Sequence, residues 1–289
     1  MGRFRFLTLL LVSALLLSIS LPQGYGRRIK VMKRYDAGQA FKPSVVPAIC
    51  DIRKLSELAE LKHVLHDSIP VIKRFTGGGT VIVDDGTIFA AIICNKDDVP
   101  GVQPYPRSIM SWTSKLYGEV FRGFGNFHLR ENDYAFDTRK FGGNAQSITK
   151  NQWIHHTSFL WNYDVKNMDY LKLPMRASKY RLARDHVEFL CKMKEYLPSR
   201  SIFIERTITS LENHFSVRHV QAETIFDPSE SSFSPSTRLL LEKELQEAYS
   251  SQTSRQQSLS ITQRHRRSWW EVIKAMKTPR EKYGDDSGY

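Results

Sequence analysis

Two short segments combine cations with backbone that carries no side chains. In KRFTGGGTVIVDDGTIF, Lys73 and Arg74 stand ahead of three consecutive glycines, Gly77, Gly78 and Gly79. Glycine loses more backbone entropy on folding than any other residue, so such a run needs a reason. Two reasons are open. One is a plain hairpin turn between PVIKRF and TVIV. The other is a slot in which bare N–H groups approach a carboxylate or phosphate. The adjacent cations tilt the second toward an anion, although alternation along a strand lets only one of the pair point into a given pocket. In ENDYAFDTRKFGGNAQS, Arg139 and Lys140 precede Gly142 and Gly143, and Asn144 and Gln146 follow. A cation beside bare backbone, met twice in one chain, points to a phosphate-bearing ligand.

Other chemistries lack their residues. No GxxxxGK[ST] is present for a P-loop, and the glycine run leads into a β-like segment rather than the helix of a dinucleotide fingerprint. His155 and His156 are neighbours on a strand-like stretch, so they face opposite ways and cannot share one metal ion. No GxSxG occurs. Cys50, Cys94 and Cys191 are too few and too scattered for a disulfide framework or a zinc site, which reads them as free thiols. Cys191 lies on an apolar stretch with Val187 and Leu190, as a core residue would.

The net charge of +12 belongs to the flanks. Residues 1–35 hold seven Lys/Arg and no acid, and residues 251–289 hold eight against four, which leaves +1 for residues 36–250. A nucleic-acid binder needs its basic face on the folded domain itself, so no nucleic-acid partner is expected. At the N-terminus, Arg3 and Arg5 precede an apolar run from Phe6 to Leu21 and a Pro/Gly-rich stretch. This layout reads as a secretory signal over residues 1–26, with a signal anchor as the alternative. A leader packs against nothing in a mature domain, so residues 1–26 are expected to be dispensable for the fold. A membrane would be met only through an uncleaved segment.

The middle of the chain supplies the positioning elements. KLSELAELKHVL has helical spacing over residues 54–65. PVIKRF, TVIVD and TIFAAIIC read as strands with turn chemistry between them. From Pro106 to Phe121, Ile109, Trp112, Leu116 and Val120 share one helical face. DYAFDTRKF and NQWIHHTSFLWNYD read as strands, DHVEFLCKMKEYL and ERTITSLENHF as helices. A Ser/Pro-rich break follows at Phe226, then a capped helix in TRLLLEKELQEAYSS and a polar tail. This order is that of an α+β domain.

RFTGGGTVIVDDGT resembles the RRxSGGGxVxHDxGN signature of the lipoate–protein ligase A family. DTRKFGGNAQ resembles that family's second signature, GRKISGNAQ. Asn132-Asp133, the HHGTLL-like IHHTSFL and the closing TRLLLEKELQEA agree, over about residues 53–250. The resemblance implies the catalytic fold shared by biotin and lipoate ligases: a mixed, largely antiparallel sheet flanked by helices. It implies a two-step reaction, in which lipoate or octanoate is activated by ATP, with Mg2+, and passed to a lysine of an acceptor domain. Lys140 would be the catalytic cation, serving successive oxyanions as a compact point charge. Arg74, Thr76, Gly77, Gly78, Gly79, Thr80, Asp84, Asn132, Asp133, Gly142, Gly143 and Asn144 would line the acyl-adenylate. The implied partners are lipoyl acceptor domains, namely 2-oxoacid dehydrogenase E2 subunits and the glycine cleavage H-protein, met by a monomer.

The sequence departs from the pattern at Val83, where the signature has His, and at Thr87, where it has Asn. The family's first strand and long helix have no counterpart in residues 1–50, so residues 27–52 read as an atypical linker and residues 251–289 as a disordered tail. Location is divided between the mitochondrion or plastid of the family and the secretory signal. Two alternatives accompany ligation: ATP-independent octanoyl or lipoyl transfer through a cysteine, and a catalytically dead module that holds lipoyl domains. The biotin ligase segment GRGRxGR is not found.

Overall fold

The computed structural model describes residues 14–19, 28–34, 46–49, 55–74, 79–175, 177–219, 238–254 and 257, the first three ranges as backbone. Its strands are β1 (Ala14–Ile19), β2 (Arg28–Arg34), β3 (Val46–Ile49), β4 (Ile72–Lys73), β5 (Val81–Val83), β6 (Thr87–Asn95), β7 (Phe127–Arg130), β8 (Asp133–Phe136), β9 (Arg139–Ile148), β10 (Gln152–Leu160), β11 (Ser216–His219) and β12 (Arg238–Leu239). Its α-helices are α1 (Leu55–Leu58), α2 (Leu61–His66), α3 (Pro106–Val120), α4 (His186–Phe189) and α5 (Arg200–Glu212), and residues 242–254 form a further helix. An eight-stranded sheet runs in the order β11-β2-β1-β6-β10-β9-β8-β7, and a four-stranded sheet in the order β12-β4-β3-β5. From β6 to β7 every pairing is antiparallel, whereas β1 runs parallel to β6. This is the mixed, largely antiparallel sheet flanked by helices.

Helices α3 and α5 cover one face of the large sheet. Pro106 starts α3 behind an extended Tyr105, a position where the missing N–H costs nothing. Ile109, Met110, Thr113, Leu116, Tyr117 and Val120 then point inward at i, i+3/i+4 spacing. Trp112 sits at the rim instead, edge-on to Trp153 and Phe215. Ser199 caps α5 by accepting a hydrogen bond from the Ile202 N–H at 3.2 Å. The core between helices and sheet is strongly aromatic, with Tyr117, Phe121, Tyr134, Phe136, Phe141, Phe159 and Phe203 all fully buried. A second, aliphatic core of Leu55, Leu61, Val64, Val71, Ile82, Leu240 and Leu245 joins α1, α2, the small sheet and the closing helix.

Several elements differ from the sequence expectation. The segment read as an apolar leader contributes β1, hydrogen-bonded between β2 and β6. An apolar run suits a strand flanked on both edges as well as it suits a leader, and in the folded chain residues 14–19 are part of the sheet. Together β1 and β2 form an antiparallel pair within residues expected to hold little of the catalytic fold. The helix expected over residues 54–65 breaks at Ala59 and Glu60, because Ala59 bridges to Leu171 and the Glu60 N–H donates to the Tyr170 carbonyl. The helix expected from Asp185 to Leu197 stops at Phe189, where Leu190 bridges to Lys140 and the Cys191 N–H donates to the Lys140 carbonyl at 2.9 Å. Tertiary hydrogen bonds take over the backbone groups that a longer helix would have used. Among the described residues, no helix is long and apolar enough to cross a membrane.

Candidate functional site

Lys140 owes its direction to an irregularity. Ala135 of β8 pairs with Lys140, yet Tyr134 pairs with Gly142, so Phe141 is an extra residue in β9. A β-bulge of this kind shifts the side-chain phase by one. Phe141 and Gly142 therefore both face the aromatic core, while Lys140 and Gly143 share the opposite face with Asp133. On that face the Lys140 ammonium lies 2.7 Å from Asp133 Oδ1, with both side chains largely shielded. A Cβ added to Gly143 would sit 3.4 Å from Lys140 Nζ and 3.4 Å from Ser158 Oγ, so bare backbone adjoins the ammonium. The Leu190–Cys191 segment bonds the Lys140 backbone from the free side of β9, which fixes the root of the side chain. Arg139, its neighbour, is occupied elsewhere: its guanidinium donates to the Leu190 carbonyl from Nε at 3.1 Å and from Nη2 at 2.7 Å.

Of the glycine run, only Gly79 is among the described residues. Arg74 donates from Nη2 to the Gly79 carbonyl, and the intervening Phe75, Thr76, Gly77 and Gly78 lie outside the described residues. A Cβ on Gly79 would meet no described atom within 4 Å. The buried Thr80 hydroxyl finds no hydrogen-bond partner among the described residues. Across β10, His156 and Ser158 alternate with His155 and Thr157, so the two histidines face opposite sides as the strand requires. Burial lowers the pKa of His156 to about 4, and the positive charge of Arg74 adds to the effect. His155, fully buried, is lowered to about 3 by the same loss of solvation. Both imidazoles are neutral at ordinary pH.

Three residues expected to line a ligand have close partners within the fold. Asp84 is buried and its carboxylate accepts from the Gly86 N–H, the Thr87 hydroxyl, the Asp164 N–H and Asn167 Nδ2, at 3.0–3.4 Å. It staples the turn after β5 to the segment beyond β10. Gly86 belongs to the same staple, since its Cβ would fall 1.9 Å from the Asn162 carbonyl oxygen. Gly142 is bare for the core: its Cβ would lie 3.0 Å from Tyr134 Cβ and 3.3 Å from Phe159. Asn144 pairs with Thr157 on the core-side face, away from Lys140. Its side chain accepts from the Thr157 hydroxyl at 2.6 Å and donates to the Asn132 carbonyl at 3.0 Å, which ties the β7–β8 turn to β10. The chain continues inward, as Thr157 meets His155, which contacts Tyr134 and Gln146. The bulge is the physical reason for this split, because strict alternation would have put Lys140, Gly142 and Asn144 on one face.

The two cysteines among the described residues are poor nucleophiles where they stand, and Cys50 lies outside them. Cys94 and Cys191 are buried free thiols. Burial pushes the Cys191 thiol up to about 11, and burial likewise raises Cys94 well above the ordinary thiol range. Sequence reasoning missed Tyr180, whose hydroxyl reaches Asp133, and Ser158 beside Gly143. Tyr180 carries no local motif, and Ser158 lies in the HHGTLL-like segment without having been singled out.

Residues 52–216 match the model of the lipoyl protein ligase A/B catalytic domain. The chain belongs to that family. Among curated relatives it is 27% identical over 201 residues to the inactive lipoate–protein ligase 2 of Plasmodium falciparum, covering 56% of this chain and 52% of that protein. It is 30% identical over 175 residues to the probable lipoate-protein ligase A of Mycoplasma genitalium, covering 57% and 48%. The chain thus spans about half the length of the lipoate–protein ligases it matches. Of solved structures, it resembles the bi-partite lipoate protein ligase of Thermoplasma acidophilum, determined as part of a lipoylation system with its E2 lipoyl domain. That likeness has a TM-score of 0.51 at 20% identity, over 63% of this chain and 74% of the other. A second T. acidophilum structure, a putative lipoate protein ligase with bound lipoic acid, gives a TM-score of 0.50 at 17% identity, over 63% and 76%. These likenesses establish the fold of the lipoyl protein ligase A/B catalytic domain.

Proposed function

We propose that this chain is a lipoate–protein ligase, which activates lipoate or octanoate with ATP and transfers the acyl group to a lysine of a lipoyl acceptor domain. The observation that carries the reading is Lys140. A bulge turns its ammonium onto one face of the sheet, against bare Gly143 and 2.7 Å from Asp133 Oδ1. A preorganised cation beside backbone without side chains suits the crowded oxygens of a phosphoryl and acyl centre. In the first step Lys140 offsets charge as the acyl carboxylate attacks the α-phosphate and pyrophosphate leaves. In the second it stabilises the oxyanion formed when the acceptor amine adds to the acyl carbonyl and AMP departs. Arg74 and the glycine run close over the acyl-adenylate, Asp133 and Gly143 border it, and Thr80 offers its hydroxyl. Asp84, Gly142 and Asn144 hold these elements in place rather than touching ligand.

Magnesium fits as a companion of the nucleotide. Among the described residues no three His, Cys, Asp or Glu side chains converge on a metal position, and Asp133 is already shared by Lys140 and Tyr180. Such a donor set suits an ion held chiefly by phosphate oxygens and water. When bound it would neutralise phosphate charge.

The test is pyrophosphate exchange with lipoate and octanoate, with gel-shift lipoylation of an acceptor domain. Lys140→Ala should reduce both by ~10²–10³ while the domain stays folded. Wild-type rates in Lys140→Ala would overturn the reading. Buried Cys94 and Cys191 disfavour transfer through a thiol. One relative's name, inactive lipoate–protein ligase 2, favours a second reading as a binding module. Tight acceptor binding by the wild type without turnover would select it.

A further inference from the structure

Asp133 has two side-chain partners that arrive from different parts of the chain. Its Oδ1 faces the Lys140 ammonium at 2.7 Å, and its Oδ2 accepts from the Tyr180 hydroxyl at 3.0 Å. Tyr180 sits on a short 3-10 turn, Lys179–Arg181, that is pinned from both sides. Glu131 Oε1 accepts from the Lys179 N–H at 2.7 Å and from the Tyr180 N–H at 3.4 Å. Arg184 Nη2 donates to the Tyr180 carbonyl at 2.8 Å and to the Thr138 carbonyl at 2.9 Å. The Tyr180 ring packs at 5.1 Å from that of Phe189, with the Arg130 guanidinium 5.9 Å over its face. The phenol is therefore a fixed donor. Burial raises its pKa, and the neighbouring Asp133 charge adds to this, so the hydroxyl keeps its proton across the working range.

We infer that Tyr180 is a positioning residue for Lys140, acting through the Asp133 carboxylate. A lysine ammonium is a point charge on a flexible stem and has no intrinsic direction. Held by the lysine alone, the carboxylate could rotate with it. With Oδ2 tied to Tyr180, Oδ1 becomes a fixed anchor, and the ammonium is aimed before any ligand arrives. Ordering is thereby complete ahead of the reaction, which is what makes an electrostatic contact effective in a transition state. The step for which Lys140 is aimed rests on the ligase reading, whereas the aiming itself does not.

Tyr180→Phe removes only the hydroxyl and leaves the ring against Phe189 and Arg130. The expected result is about a tenfold fall in kcat for acyl-adenylate formation, with KM for ATP and for lipoate within about twofold of wild type. The fall should disappear in an Asp133→Asn background, because no carboxylate remains to be steered. A fall of equal size in both backgrounds would mean a role in loop packing alone and would overturn the inference. A second measurement is independent of ligase activity. Acetylation of Lys140 by acetic anhydride, followed by peptide mass spectrometry against exposed Lys150, should speed up severalfold in Tyr180→Phe. An unchanged Lys140 labelling rate would overturn the inference whether or not the protein ligates. Faster labelling in a protein that shows no pyrophosphate exchange would retain it and reject the ligase reading.

Discussion

At the scale of single residues, position on the sheet decides what each bare or polar residue is for. Gly142 and Gly143 are adjacent, yet one faces Tyr134 and the other Lys140. Gly142→Ala should cost about 1–3 kcal/mol through overpacking against the aromatic core, read as a lower urea midpoint. Gly143→Ala should leave that midpoint near wild type and lower the acyl-adenylation rate instead, because its methyl group enters the space beside the ammonium. The reverse pattern in the two measurements would refute the assignment of faces. His155 supplies a pH signature. Its native pKa of about 3 lies below that of an unfolded histidine near 6.5, so the unfolded chain binds the proton first. Its contribution to stability is complete above pH 6.5 and is lost as the pH falls toward 3, by at most about 1.4 kcal/mol per pH unit. His156 adds a loss of the same sign, from pH 6.5 down to about 4. Unfolding midpoints between pH 7 and 4 should fall accordingly, and less steeply in His155→Gln.

At the scale of elements, β1 is the decisive case. It lies between β2 and β6, and β11 pairs in turn with β2, so two strands of the large sheet, β2 and β11, are joined to the rest through it. Removing residues 1–26 should expose the edge of β6 and release β2 and β11 from the sheet. We expect the truncated chain to unfold at lower temperature and less cooperatively than the full chain by near-UV circular dichroism. Identical melting of the two would return residues 14–19 to the dispensable role that their leader-like composition suggests. The composition is compatible with both because Leu, Val and Ile serve a buried strand and a hydrophobic leader alike. Pairing is a tertiary property that a hydrophobicity profile does not carry.

At the scale of the whole molecule, the buried residues form separate clusters, one on the large sheet and one at the small sheet. The small core is closed from the far end of the chain, where Leu240 and Leu245 pack on Leu61, Val64 and Val71. Arg238 bonds Glu244 through both guanidinium nitrogens at 2.6–2.7 Å and so joins β12 to the start of the closing helix. Leu245→Ala should cost about 2–5 kcal/mol through the cavity it leaves. Since β4 carries Lys73 and leads into Arg74, lipoate binding should weaken in the same variant. Loss of stability with unchanged lipoate affinity would show that the two cores act independently.

Part of the fold, and the cation–glycine segments as candidates for the site, were legible in the residues themselves. Strand β10, helices α3 and α5 and the opposed histidines follow from local periodicity, which acts over a few residues, whereas DYAFDTRKF, read as one strand, is divided at Asp137 and Thr138 into β8 and β9. The family signatures at residues 74–87 and 137–146 followed for the same reason, being contiguous. What the tertiary structure alone decided lies at longer range. The bulge at Phe141 set which side of the sheet Lys140 occupies, and no composition rule announces a single extra residue in a strand. Asp84 became a staple and Asp133 an anchor through partners up to 83 and 47 residues away. The helices expected over residues 54–65 and 185–197 were cut short by bonds to Tyr170, Leu171 and Lys140. In each case a backbone or carboxylate group found a better partner across the fold than its own neighbours offered, and that competition is settled only when the chain is packed.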